Sequence, residues 1–240
     1  MNFRKSFGIL ITMHQQSLLQ DKSEYGSTSG SETSNQKRPL ADLLRPGNLK
    51  DYEGQEKLVG KDGPIRRMIE KDDLISIILW GPPGSGKTTL ARIIANETSS
   101  YFVQLSAVKA GKADVEKAVR EAREIFGMYD GKRTILFLDE IHRFNKAQQD
   151  YLLPFVEDGT LILIGATTEN PSFEVNSALL SRMRVFVLDR LTAEEIQKVV
   201  NRAIKLLKSE YKISIKLDKE AMTVLVKNAN GDPRSALNIL

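Results

Sequence analysis

A glycine-rich stretch between an apolar run and a helical pattern constrains this chain more than any other feature. The segment WGPPGSGKTTL carries Gly81, then four residues, then Gly86, Lys87 and Thr88. Glycines in this arrangement turn backbone N–H groups inward around phosphate oxygens, and the following helix adds the positive end of its dipole. With a strand before it and a helix after it, this spacing predicts a P-loop that binds a nucleoside triphosphate.

Each part of the predicted loop has its own task. Lys87 is expected to reach the β- and γ-phosphates, and the Thr88 hydroxyl is expected to ligate Mg²⁺. The predicted nucleotide-binding residues form one continuous stretch: Gly81, Pro82, Pro83, Gly84, Ser85, Gly86, Lys87, Thr88 and Thr89.

Five short apolar runs alternate with helical patterns. They are typical of strands buried on both faces, and they cover residues 76–80, 101–105, 134–138, 161–166 and 185–188. Between the second and third runs, apolar residues repeat at helical spacing: Val115, Ala118, Val119, Ala122, Ile125 and Phe126. This alternation predicts an α/β fold, a five-stranded parallel sheet covered by helices on both faces.

Only helical patterns follow the fifth run. Thr192 and Glu195 have the spacing of a capping box. A second helix is predicted from about Asp218, and a third begins with Asp232 as its N-cap and Arg234 in its first turn. The chain ends about two turns into that third helix.

These patterns predict three regions. An α/β domain is expected over residues 38–189, and a helical domain, expected to be incomplete, over residues 190–240. Residues 23–34 are rich in serine, threonine and glycine, which is typical of a flexible linker. We therefore expect residues 1–37 to form a disordered extension, with a mitochondrial transit peptide as the alternative.

The composition excludes several kinds of site. The chain has no cysteine and two histidines, which excludes disulfides and thiolate metal sites and argues against a histidine-based metal site. The longest apolar run is too short to span a bilayer. We therefore expect a soluble, non-secreted protein without a membrane partner, in the cytoplasm or nucleoid of a bacterium or the nucleus of a eukaryote. The net charge of +4 permits nucleic-acid binding without demonstrating it.

Two carboxylates end the third apolar run, in the segment TILFLDEIHRF. A carboxylate at the C-terminal end of a strand in such a sheet lies beside the ligand. Asp139 is expected to hold Mg²⁺, directly or through water, and Glu140 to orient and deprotonate an attacking water. The pair predicts hydrolysis of the nucleoside triphosphate.

Further polar residues follow the fourth run and precede the fifth. Thr167, Thr168 or Asn170 is expected to hold the water or the γ-phosphate. Arg182 is expected to supply charge to the phosphate of a neighbouring subunit, or else to be a surface arginine favoured by a helix end.

Taken in order from residue 38 to residue 240, these motifs resemble those of the AAA+ superfamily. The segments are RPLADLLRP, GQEKLVG, the P-loop, FLDE, GATTENP, SRM and GDPR. Within that superfamily, WGPPGSGKTT, DEIHRFNKAQQDYLLPFVEDG and GATTENPSFEVNSALLSR resemble the replication-associated recombination protein A family, which is related to the Werner-helicase-interacting ATPase. The resemblance implies binding of ATP and Mg²⁺. It also implies a DNA-dependent ATPase in DNA replication, recombination and repair at stalled forks.

The resemblance also implies roles for single residues. Thr168 is implied as the sensor of the γ-phosphate, with Asn170 second, and Arg182 as an arginine finger acting in trans. Arg234 is implied as a second sensor that reaches ATP from the helical lid. Family members continue with more of the lid and an oligomerisation region, so this chain is expected to be a monomeric, C-terminally truncated piece of a homo-oligomeric protein.

The expected partners are DNA, single-stranded or forked, and replication and repair proteins. Lys109 and Lys112, in the loop after the second run, are candidate DNA contacts, with two solvated lysines as the alternative. Further candidates follow the acidic pair: His142, Arg143 and Lys146.

Two other functions stay open. One is a Holliday-junction branch-migration motor or a motor of the clamp-loader type, which shares the ATPase chemistry. The other is a nucleotide-dependent scaffold with little turnover. Glu140 argues against the scaffold, because a pure switch has no use for a residue that activates water.

Overall fold

A five-stranded parallel sheet forms the centre of the chain in this computed structural model, which describes residues 39–129 and 131–240. The strands are β1 (Ile77–Trp80), β2 (Tyr101–Ser106), β3 (Thr134–Asp139), β4 (Ile162–Thr167) and β5 (Arg184–Val187). They lie in the order β2-β3-β4-β1-β5, and each neighbouring pair is parallel. The predicted α/β fold is confirmed, and each predicted strand lies within a residue of its observed bounds.

Helices connect and cover these strands. The α-helices of the described residues are α1 (Leu40–Leu43), α2 (Glu56–Val59), α3 (Pro64–Glu70), α4 (Lys87–Glu97), α5 (Lys112–Met128), α6 (Lys146–Glu157), α7 (Pro171–Glu174), α8 (Ser177–Leu180), α9 (Ala193–Glu210), α10 (Lys219–Ala229) and α11 (Pro233–Ile239). Two 3₁₀ turns cover Leu49–Asp51 and Ile141–Arg143.

Each face of the sheet has its own apolar layer. On one face α3 and α4 pack against the strands, with Ile65, Leu90 and Ile93 fully buried. On the other face α5 and α6 supply buried residues such as Val115 and Leu152. Strands buried on both faces read as continuous apolar runs, which is why the sequence predicts them closely.

The helix predicted from the apolar repeat is present as α5, and one residue of that repeat is exposed. The stripe is buried as far as Ala122, but Phe126 is 61% exposed. Helix α5 has 17 residues, about 25 Å of helix, whereas the six-residue strand β2 that it covers is about 20 Å long. The last turns of α5 therefore extend past the sheet.

The helices after β5 share a third apolar cluster with the segment before the first strand. Ile196 and Val200 of α9 pack there with Leu225 of α10, Leu237 of α11 and Leu44. The expected caps are present: the side chains of Thr192 and Asp232 accept the backbone N–H groups of Glu195 and Arg234. These contacts hold the short helix α11 in place.

Some expectations stay predictions. The proposed boundary between residues 189 and 190 is one of them, and the expected extension, residues 1–37, lies outside the described residues. Within the described ranges, no helix combines the length and apolarity that crossing a membrane requires.

The strand order decides where the predicted site residues meet. The carboxyl ends of all five strands lie at one edge of the sheet, where ligands bind in folds of this kind. Strand β4 lies between β1 and β3. The residues that follow β4 are therefore between the P-loop after β1 and the acidic pair at the end of β3.

Candidate active site

The P-loop adopts a backbone shape that only glycine supports at two positions. Gly84 and Gly86 have φ angles of 77° and 92°, in the left-handed region. A Cβ atom on Gly84 would overlap the side chain of Asp232, and one on Gly86 would overlap the ring and hydroxyl of Tyr52. Gly86 is also the N-cap of α4, so the N-terminal N–H groups of that helix adjoin the loop.

Lys87 is buried at the head of α4, with 8% of its surface exposed. Its Nζ atom donates to the carbonyl oxygens of Gly81, at 2.7 Å, and Pro82, at 2.9 Å. Burial lowers the pKa of Lys87, and the nearby carboxylates of Glu140 and Asp139 oppose that change. The amine of Lys87 is therefore held by the loop carbonyls, and the charges of the acidic pair favour its protonated form.

The loop also contains a buried polar atom that is available to bind a ligand. The Ser85 hydroxyl oxygen is buried, and among the described residues it has no hydrogen-bond partner. A buried hydroxyl without a partner costs free energy unless something else satisfies it. Phosphate oxygens accept hydroxyl donors, and Thr88 and Asp139 offer the oxygen ligands that Mg²⁺ prefers. The residues present thus fit a nucleoside triphosphate with Mg²⁺.

The second carboxylate of the acidic pair sits on an unusual backbone. Glu140 has φ 56° and ψ 46°, a left-handed conformation that is uncommon for a residue other than glycine. Its Oε2 atom lies 3.3 Å from Nε2 of His142, whose Nδ1 atom lies 2.9 Å from the Thr167 hydroxyl. The His142 side chain is 8% exposed. The expectation that His142 contacts DNA is therefore wrong, because its ring is buried between two neighbouring strand ends.

The polar residues after β4 differ in their surroundings. Thr167 is fully buried and bonds to His142, and the Asn170 side chain accepts the Ser172 N–H and caps α7. Thr168 is half-buried directly beyond the strand end. Of the candidates for holding a γ-phosphate, Thr167 and Asn170 have hydrogen bonds within the chain, and Thr168 is the one that directly follows the strand end.

The structure brings Arg234 to the P-loop. Arg234, Gly84, Ser85 and Gly86 line the same cavity of about 90 Å³. Its charge lowers the pKa of Lys87, although burial of the lysine has the larger effect. The arginine at the head of α11 therefore adjoins the predicted phosphate site.

Arg182 is not part of this group. Its guanidinium is exposed, donates to the carbonyl oxygen of Ala178 at 2.7 Å and lies 2.5 Å from a carboxylate oxygen of Glu157. Two residues later, Arg184 pairs with Ile77 at the start of β1. Because the P-loop follows the other end of β1, Arg182 lies at the opposite edge of the sheet.

Two residues that hold the P-loop were missed by the sequence analysis. Gln55 donates to the carbonyl oxygens of Ser85, at 3.3 Å, and Asp189, at 2.7 Å, and accepts the Asp189 N–H. The Tyr52 hydroxyl donates to the same Ser85 oxygen at 3.4 Å. Burial, and secondarily Glu195, raises the pKa of Tyr52. The segment GQEKLVG contains Gln55, but nothing in it indicates a bond to a residue 134 positions away.

The candidate DNA contacts are on the surface beside β2. Lys109 is exposed in the loop that follows the strand. Lys112, at the start of α5, lies 3.8 Å from a carboxylate oxygen of Glu116 and 4.9 Å from the centre of the Tyr151 ring. Two further candidates are exposed after β3, Arg143 and Lys146. Lys112 is therefore more tied to its own chain than Lys109 is.

Comparison with known proteins agrees with this geometry. Residues 77–191 match the family described as ATPase family associated with various cellular activities (AAA). The chain is 48% identical over 204 residues to the replication-associated recombination protein A of Escherichia coli (strain K12), covering 85% of this chain and 45% of that protein. It is 45% identical over 202 residues to the ATPase WRNIP1 of Dictyostelium discoideum, covering 84% and 23%.

Among solved structures, the chain resembles the RuvB Holliday junction branch migration motor of Thermotoga maritima. The TM-score is 0.63 at 30% identity, and the match covers 82% of this chain and 64% of that one. The chain spans less than half the length of the curated relatives it matches.

Proposed function

We propose that this chain, whose residues 77–191 match the AAA ATPase family, binds and hydrolyses ATP in a DNA-dependent reaction of replication and recombination. One observation carries the proposal. The buried amine of Lys87 bonds to two P-loop carbonyls, and its pKa responds to the charges of Glu140, Asp139 and Arg234.

The P-loop and the last helix bind the triphosphate in this proposal. Lys87 exchanges its bonds to the Gly81 and Pro82 carbonyls for bonds to the β- and γ-phosphates. The unpaired Ser85 hydroxyl and the Arg234 guanidinium add further donors. Small-molecule sites usually enclose about 300–1,000 Å³, so the 90 Å³ cavity has to widen to admit ATP.

Thr88 and Asp139 hold the magnesium ion. Thr88 is buried one residue inside α4, and Asp139 ends β3 close to Lys87. A bound Mg²⁺ would supply charge neutralisation of the β- and γ-phosphates. The Thr88 hydroxyl and the Asp139 carboxylate would be the oxygen ligands that hold it.

Glu140 takes the proton of the attacking water. A carboxylate contributes as a general base when it lies within hydrogen-bond reach of that water, directly beside the γ-phosphate. The proximity of Glu140 to Lys87 supports this assignment. Thr168, beyond the neighbouring strand end, orients the water or a γ-phosphate oxygen.

Arg182 completes the site of a neighbouring copy as an arginine finger. The pairing of Arg184 with Ile77 supports action in trans, because it separates Arg182 from the P-loop of its own chain by the length of β1. The exposure of Arg182 leaves it accessible to a second subunit. An assembly of several copies then hydrolyses ATP faster than a single copy does.

DNA and replication or repair proteins are the proposed partners. The names of the relatives in Escherichia coli and Dictyostelium discoideum support a role in replication and recombination. Exposed cations beside β2 and after β3 supply phosphate contacts, with Lys109 the most accessible.

A branch-migration motor is the second candidate, supported by the structural likeness to RuvB. The sequence identity favours the first function, at 48% against 30%. The rate of ATP hydrolysis, measured with and without single-stranded, duplex, gapped and four-way-junction DNA, tests the proposal. Stimulation by gapped or single-stranded DNA supports it, stimulation by junctions alone supports a branch-migration motor, and no hydrolysis contradicts both.

A further inference from the structure

The imidazole of His142 connects the ends of two neighbouring strands. Glu140 and His142 follow β3, and Thr167 is the last residue of β4. The ring is buried with one nitrogen facing each side chain, Nε2 towards Glu140 at 3.3 Å and Nδ1 towards Thr167 at 2.9 Å. An exposed surface histidine would have neither contact. The ring therefore links the proposed general base to the strand that carries Thr168.

The hydrogen bonds of Thr167 fix which nitrogen carries the proton. The hydroxyl accepts the Glu169 N–H at 3.0 Å and has one hydrogen to donate. The His142 Nδ1 atom, at 2.9 Å, is a closer acceptor than the Glu169 carbonyl oxygen, at 3.3 Å. When Nδ1 accepts, the neutral ring carries its proton on Nε2. That N–H then faces the Glu140 carboxylate oxygen at 3.3 Å, whereas the other tautomer would set two lone pairs against each other.

The backbone around this link is held firmly. Ile141 is fully buried and packs against the Cα of Gly165 in β4, where a Cβ atom would come within 2.9 Å of its Cδ1 atom. The left-handed conformation of Glu140 starts the 3₁₀ turn that carries His142. Strained residues of this kind persist where the surrounding structure determines them, often at functional sites.

We propose that His142 is a positioning residue that holds the Glu140 carboxylate in its working orientation through Nε2–H, while the Thr167 hydroxyl sets the tautomer. The inference rests on the proposed function, because it assigns a partner to the general base of that reaction. Through Thr167, the ring of His142 also connects Glu140 to the next residue, Thr168. A shift of the β4 end on contact with a γ-phosphate is then transmitted to Glu140 through the ring.

Two substitutions of similar size test the role of the ring. The His142→Gln side chain reaches as far as Nε2 and can donate to Glu140, whereas His142→Asn reaches only as far as Nδ1. A general base contributes about 10²–10⁴-fold to a rate. We expect His142→Asn to lower single-turnover ATP hydrolysis at least about tenfold, and His142→Gln to recover most of that loss. ATP affinity, measured by calorimetry, should be unchanged in both variants.

A second measurement does not depend on turnover. The chain has two histidines, so ¹⁵N NMR of the imidazole nitrogens identifies His142 by the signals that His142→Gln removes. We expect a single Nε2–H tautomer in the parent and in Thr167→Ser, and a weaker Nδ1 hydrogen bond in Thr167→Val. An Nδ1–H tautomer in the parent overturns the inference, as do equal rates for His142→Asn and the parent. If the parent hydrolyses no ATP, the proposed function fails and the NMR result alone decides the hydrogen-bond assignment.

Discussion

Arg184 pairs with Ile77 at the start of the parallel strands β5 and β1. Arg182, two residues before Arg184, therefore lies at the end of the sheet opposite to the P-loop. Four residue steps along β1 separate Ile77 from Gly81, or about 13 Å at the rise of a strand. The guanidinium of Arg182 is also bonded to Glu157 and Ala178 on its own surface. Any contact of this residue with a nucleotide must therefore involve a second copy.

Mixing two inactive variants tests that consequence. Arg182→Ala lacks the finger and Glu140→Gln lacks the base, so each is expected to hydrolyse ATP slowly alone, by about 10³-fold or more for the finger. An equal mixture forms interfaces that join an intact base to an intact finger, and turnover should recover in part. Arg184→Ala, which removes a neighbouring exposed arginine, is the control. A mixture that assembles by light scattering yet stays inactive contradicts action in trans.

Substitution of the P-loop lysine tests whether ATP binding needs this residue while folding does not. Lys87→Ala should abolish ATP binding in calorimetry, because no other side chain of the loop reaches the phosphates with a positive charge. The fold should survive, since alanine suits a helix and the lost bonds go only to the Gly81 and Pro82 carbonyls. Circular dichroism checks the fold. Near-normal ATP affinity in a folded variant would falsify the P-loop assignment.

The strands and the P-loop were predictable because their signals are local. A strand buried on both faces is a continuous apolar run, and Gly81 to Thr88 form a motif whose flanks confirm it. The cap at Asp232 follows from the preference of helix starts for such residues. The exposure of Phe126 was not predictable in the same way, because periodicity indicates one face of a helix and not how far the neighbouring sheet extends.

The parts that were missed depend on contacts between distant segments. Gln55 bonds to Asp189, 134 residues later, and Asp232 packs against Gly84 from the last helix. The sequence offers His142 as a candidate DNA contact, because it does not show that Thr167 lies beside the ring. Each of these contacts could be predicted only once the order of the strands in the sheet was known.

Substitution of Gln55 tests how much its hydrogen bonds stabilise the P-loop. Its amide makes three hydrogen bonds, to the Ser85 and Asp189 carbonyls and from the Asp189 N–H. Gln55→Ala should lower the free energy of unfolding by about 0.5–1.5 kcal/mol, the net contribution of a typical hydrogen bond, because the Asp189 partner is exposed. It should also weaken ATP binding by loosening the loop. Urea unfolding measures the first effect, and Gln55→Glu, which keeps one acceptor and no donor, should give an intermediate or equal loss. An unchanged unfolding midpoint for Gln55→Ala shows that the contacts add nothing.

Substitution of the lysines beside β2 tests whether that surface of the protein binds DNA. Removing both Lys109 and Lys112 should weaken DNA binding regardless of sequence and reduce the salt dependence of the binding constant by up to about two units. Lys109→Ala should account for the greater part, because Lys112 is also held by Glu116 and Tyr151. Fluorescence anisotropy across a series of salt concentrations measures the slope. The same slope for the parent and the double variant would assign both lysines to the solvated surface.

The most direct test of the account compares Glu140→Gln with the parent in one experiment, in which ATP binding and single-turnover hydrolysis are measured on the same protein with Mg²⁺ present. The amide cannot take a proton from water, while the P-loop is left intact. We predict that the variant binds ATP with the parent's affinity and hydrolyses it at a rate at least about 10²-fold lower. Hydrolysis by Glu140→Gln at close to the parent rate would contradict the assignment of Glu140 as the base, and with it the chemistry proposed for this site.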